Sequence, residues 1–171
     1  MPYPSSVIIK KGYLLISWFN EISEICKTEP IKKYNCDKEK NCIMKCKVTK
    51  NVKVSVKPSY EGNFDSIEGK VDVFSYQVTI ENNSNHAIKL LKRRWLVLDA
   101  ADYDYEIEGN GVIGKQPILY PGEKHIYESG SQLKCPIGAM KGSYLFKRLD
   151  DDEKFQVEIP HFNLLAPFVA N

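Results

Sequence analysis

The chain has 171 residues, room for one domain with a real core and a short further segment. Its net charge of +2 is unevenly spread: residues 1–50 hold ten lysines against five acids, whereas residues 51–171 hold 14 basic residues against 17 acids. The larger part is therefore mildly acidic, which argues against nucleic acid as its partner. Hydrophobic residues at 43% and charged residues at 27% are the balance of an ordinary globular chain, with no compositional bias toward any other class.

Residues 1–43 carry Lys, Ile, Asn and Cys without a clear period. The best apolar run, Tyr13 to Phe19, is far shorter than the roughly 20 residues a bilayer requires, so no membrane span is expected. Lys10 and Lys11 ahead of it give a faint signal-peptide look, but Asn20, Glu21 and Ile22 offer no small-residue cleavage site. Ile16, Phe19, Ile22, Ser23 and Cys26 are spaced for one face of a short helix. Cys26, Cys36, Cys42 and Cys46 follow the spacing C-x9-C-x5-C-x3-C, which lacks the two tight knuckles of a structural zinc site. Cys135 stands alone in the rest of the chain, so the later part holds no internal disulfide and a reducing, cytoplasmic setting is expected.

From Asn51 onward the pattern is all β. Val52, Val54 and Val56 alternate with Lys53, Ser55 and Lys57, the signature of a half-buried strand. Phe74, Tyr76, Val78 and Ile80 fall on one face of a second strand, and Asn82–Asn85 forms a turn after it. In the next segment the parity breaks. Ile88 and Leu90 share a face with Lys92 and Arg94, while Trp95 and Val97 lie on the other, so a bulge near Lys92–Arg94 is expected. Tyr103, Tyr105 and Ile107 are expected inward, with Asp102, Asp104, Glu106 and Glu108 outward. Pro121-Gly122 marks a turn between two short strands. Residues 143–149 and 154–159 flank Asp150–Glu153 as a hairpin with an acidic tip. Strands recurring every 8–15 residues, with turn signals between and no sustained helical period, predict a β-sandwich or barrel.

Gly109, Gly111 and Gly114 spell G-x-G-x-x-G. That pattern grips pyrophosphate only where a strand runs in and a helix runs out. Here Lys115-Gln116-Pro117 follows and no helix opens, so the glycines read first as a shaped loop between strands. The alternative is an anion-binding nest built from the amides of Gly109, Asn110, Gly111 and Gly114 together with Lys115. Arg93 and Arg94 beside Trp95 are candidates for a partner surface, since Arg with an aromatic is a frequent interface anchor. The competing reading makes Trp95 the core aromatic and the Arg pair a solvated bulge. The acids at 99, 102, 104, 106 and 108 form a row about 7 Å apart at alternate positions rather than a cage for a cation. His86, His125 and His161 sit in separate segments, and no nucleophile has a base supplied nearby. No metal site, cofactor or catalytic residue is implied.

Seven motifs in order then carry a resemblance: VSVKPSYEG, YQVTIENNS, RRWLVLDA, GNGVIGKQP, YPGEKHIYESG, CPIGAMKGSY and VEIPHFNLLAP. From about Lys47 to Asn171 the chain resembles the ApaG family. The resemblance implies an immunoglobulin- or fibronectin-III-like sandwich, reached separately from the strand pattern. It implies no enzymatic activity. It points to a protein-interaction module associated with cobalt tolerance and magnesium transport, that is, with divalent-cation homeostasis in bacteria. The partner protein is unspecified, and a homodimer stays open. One departure is visible: the family pattern R-H-W is Arg93-Arg94-Trp95 here. Family members open a few residues before the first strand, so Met44 is expected as the native start and residues 1–43 as a poorly patterned N-terminal extension.

Overall fold

The computed structural model describes residues 44–67 and 69–169 of the chain. The expected short helix and the unpatterned extension of residues 1–43 lie outside the described residues. The described chain is all β. It runs β1 (Lys45–Thr49), β2 (Val52–Ser66), β3 (Gly69–Asn82), β4 (Ile88–Asp99), β5 (Tyr105–Asn110), β6 (Ile118–Leu119), β7 (Lys124–Leu133), β8 (Ile137–Arg148) and β9 (Lys154–Leu165). One sheet has the order β1-β2-β3-β7. The other has the order β5-β4-β8-β9, with the short β6 also on β4. All pairings are antiparallel, and the alternating strands close over each other as the expected β-sandwich.

The period-2 pattern sets what is buried. Val52, Val54 and Val56 from β2 and Phe74, Tyr76, Val78 and Ile80 from β3 face Trp95, Val97, Met140, Tyr144, Phe162 and Leu164 of the opposite sheet. Trp95 is the central aromatic. Its ring lies 5.5 Å from Tyr76, 6.0 Å from Phe162 and 6.4 Å from Tyr144, so it ties the two layers together. Truncating such a side chain costs about 3–5 kcal/mol.

Two irregularities place the functional surfaces. The register of β4 on β8 shifts between Leu90 and Lys92, which puts a bulge at Leu91. Beyond it Arg93, Trp95 and Val97 join Ile88 and Leu90 on the inner face, and Arg94 and Leu96 turn outward. A second shift between Met140 and Gly142 kinks β8 against β9. The β3–β4 turn is held from inside by Asn82. Its Nδ2 donates to the carbonyls of His86 (2.8 Å) and Leu119 (2.9 Å), and its Oδ1 accepts the Ser84 amide (3.0 Å).

The expected inward row Tyr103-Tyr105-Ile107 is corrected at its start. Residues 100–104 form a turn, and Tyr103 is 90% exposed. Asp99 explains the turn: its carboxylate is buried and accepts the amides of Ala101 (3.1 Å) and Lys134 (2.7 Å), which pulls the chain out of the ladder. The residues just ahead of β2 pair along it as the edge strand β1.

Candidate functional site

The glycine loop follows β5. Val112 and Lys115 exchange both main-chain hydrogen bonds (2.8 and 3.0 Å) around Ile113 and Gly114, which have φ of 48° and 70°. Positive φ at both central positions belongs to the tight hairpin turn. Gly111 has φ 57°, and its amide donates to the Leu91 carbonyl at 2.9 Å. The loop is thus laced to the bulge in β4, and the amides of Gly111, Val112 and Lys115 are occupied inside the protein. Arg93 completes the lacing from the inner face. Its Nη1 donates to the carbonyls of Gly111 (2.9 Å) and Asn110 (3.3 Å), and the guanidinium lies flat over Gly109. His125 on β7 is held below the usual imidazole range, first by burial and then by the Lys115 ammonium.

The same guanidinium charge reaches a set of buried phenols between the sheets. Burial pushes Tyr76 up to about 12, opposed by a hydrogen bond with Ser129 and by Arg93. Tyr127 and Tyr144 share a hydrogen bond, and both are pushed up by burial. Arg93 and Arg94, neighbours in sequence, therefore serve opposite faces.

Arg94 belongs to the outside. It grips Glu106 through Nε (3.0 Å) and Nη2 (2.6 Å) and approaches Glu108 at 3.5 Å. It lines a groove of ≈ 450 Å³ on the outer face of the β5-β4-β8-β9 sheet. Leu96 of β4 and Ile159 of β9 line it too, and Lys141 and Ser143 of β8 stand beside the second bulge. On the far side Glu158 pairs with Lys47 of β1, and His161 closes the groove. The side chains of Lys141, Ser143 and His161 make no hydrogen bond or ion pair with another described residue. Across the whole outer face, alternation directs Lys89, Lys92, Arg94, Lys141, Lys147 and Lys154 outward, against Glu106, Glu108 and Glu158. Sequence reasoning missed Lys141, Ser143, His161, Lys47 and Glu158. For the residues of β8 and β9 the one available signal was alternation, and the extra residues Pro160 and His161 opposite Lys141 shift its parity in β9.

The remaining acids do not converge. Asp102 pairs with Lys134, and Glu106 and Glu108 meet Arg94. At the β8–β9 tip, Asp150 meets His86, Asp151 and Glu153 meet Arg148, and Asp152 meets Lys147. No group of three His, Cys, Asp or Glu able to hold a metal ion occurs among the described residues.

Two antiparallel sheets with a polar groove on one outer face and laced loops at the ends define a small all-β sandwich domain. The family model for the ApaG domain matches residues 64–148. Protein ApaG of Thiobacillus denitrificans is 41% identical over 120 residues, 70% of this chain and 94% of the relative. Protein ApaG of Brucella abortus is 40% identical over 120 residues, 70% and 92% respectively. Among solved structures, an X-ray structure of a structural-genomics target has a TM-score of 0.64 at 35% identity, covering 68% of this chain and 88% of its own. A crystal structure described as an ApaA protein from Bordetella pertussis has a TM-score of 0.62 at 36% identity, covering 68% and 94%. The chain belongs to the ApaG family.

Proposed function

We propose that the sandwich is a non-catalytic protein-interaction module that works in the cytoplasm and meets its partner through the outer face of the β5-β4-β8-β9 sheet. The groove carries this reading. Lys141, Ser143 and His161 offer donors beside half-buried Leu96, on strands held rigid by the core beneath. Ser129 bonds to Tyr76 and Ser131 to Tyr105 (3.4 Å), neither to a histidine, so neither is an activated nucleophile. No helix among the described residues is long and apolar enough to cross a membrane. The family's link to cobalt and magnesium would then run through the bound partner, since the described acids, histidines and cysteines do not gather as ligands.

Benzoyl-phenylalanine in place of Lys141, photolysed in cells, should give a covalent adduct with a defined protein. The same probe in place of Gln77, exposed on the other sheet, should not. No adduct from position 141, or the same adducts from both positions, would overturn the reading. Pyrophosphate at the glycine loop is the alternative. It would rest on Lys115 and the amides of Ile113 and Gly114, because those of Gly111, Val112 and Lys115 already donate to carbonyls. Saturable pyrophosphate binding abolished by Lys115→Ala would favour it instead.

A further inference from the structure

The charge on the outer face of the β5-β4-β8-β9 sheet is concentrated. The ladder sets Lys89 opposite Lys147 and Lys147 opposite Lys154, so three ammonium groups form one row across β4, β8 and β9. Like charges directly opposite on neighbouring strands destabilise a sheet. Among the described residues Lys147 pairs with Asp152 at 2.6 Å, and Lys154 also feels that carboxylate, so one acid serves two lysines. Lys89 has none. The next row holds Lys92 opposite Leu145, and the groove row holds Leu96 opposite Lys141. Lys92 and Lys141 likewise make no ion pair with a described acid. Leu96 and Leu145 lie half-buried between these charges.

We propose that this face docks an extended acidic segment of a partner protein, its carboxylates over Lys89, Lys92, Lys141 and Lys154 and its aliphatic side chains on the leucines. The inference rests on the protein-interaction reading and supplies the partner's chemistry. Alternate residues of an extended segment lie about 7 Å apart on one side, the repeat that separates successive rows of the sheet. A continuous phosphate chain fits less well. Bases stack on aromatic rings, and the outward residues of these strands include no Phe, Tyr or Trp, only the imidazole of His161. A lipid surface would want protruding apolar side chains, and these leucines are recessed between lysines.

The test uses the full chain and a fluorescent acidic peptide of about eight residues with glutamate at every second position, enough to cross four rows. Anisotropy should report saturable binding that weakens about tenfold between about 50 and about 300 mM salt. Lys89→Glu with Lys154→Glu should lower affinity at least about tenfold, whereas Lys57→Glu on the other sheet should leave it unchanged. If the double reversal fails to fold, Lys89→Gln with Lys154→Gln removes the charge alone and should lower affinity severalfold. Peptide binding indifferent to the sheet substitutions, or tighter binding of a single-stranded oligonucleotide or of phosphatidylserine vesicles, would overturn the inference. Adducts from position 141 persisting in that case would leave the interaction reading standing, so the two failures are distinguishable.

Discussion

At Gly111 a Cβ would lie 1.9 Å from the Lys115 carbonyl oxygen, and the backbone is already left-handed. At Gly114 φ is also positive, but the space around a Cβ is open. Gly111→Ala should therefore destabilise by more than about 2 kcal/mol and Gly114→Ala by about 1, read as shifts in the denaturant midpoint. Equal losses would mean that conformation alone governs both positions. Ile113 is the counter-case. A β-branched residue 60% exposed at φ 48° is strained and buries little in return. Ile113→Asn should raise stability by about 1 kcal/mol in the same measurement, and a loss would show that the side chain has a contact worth keeping. The spacing of these glycines was legible as a loop, but their separate causes were not. They depend on Lys115, Leu91 and Arg93 arriving from other positions, and nothing in the letters marks an isoleucine in a left-handed turn.

At the scale of elements, the bulge in β4 was legible because parity must be repaired somewhere between Leu90 and Trp95. Its position at Leu91 was not, and that position decides which arginine faces the core. β1 was hidden for a different reason. Its residues are mostly exposed on both sides, so no apolar alternation announces it. It covers the edge of β2 and reaches across to β9, where Thr49 Oγ1 accepts the Glu158 amide at 3.3 Å and Lys47 and Lys50 meet Glu158 and Glu153. Removing it costs little buried surface but leaves β2 an open, valine-rich edge. Lys47→Pro with Val48→Pro, which deletes the donors on both sides of the strand, should therefore cost only about 1–3 kcal/mol yet induce concentration-dependent aggregation. Light scattering alongside denaturant unfolding checks it. Unchanged scattering at unchanged stability would mean that β1 is dispensable to the edge.

The molecule as a whole was the most legible level, because alternating strands with one buried face leave few architectures besides two layers over one core. The outer-face groove was the least legible, because it needs the register of five strands at once. The same two-layer closure governs the phenols of Tyr76, Tyr127 and Tyr144, which lie between the sheets and are pushed up by burial, Tyr76 to about 12. The fold holds them neutral, whereas the unfolded chain releases their protons near pH 10. Their contribution to stability is thus fully present below about pH 10 and is lost as pH rises through the folded-state values. Because the three are coupled through hydrogen bonds and Arg93, they should ionise together only when the layers separate. Once exposed phenols such as Tyr103 and Tyr120 have titrated, near-ultraviolet phenolate absorbance from the buried set should rise in one co-operative alkaline step coincident with loss of the sheet circular-dichroism signal. Tyr144→Phe, which removes one of these hydroxyls, should shrink that step by the absorbance of one phenolate while keeping it co-operative. Gradual ionisation of the whole set with the sheet signal intact would mean that water reaches between the layers in the folded protein.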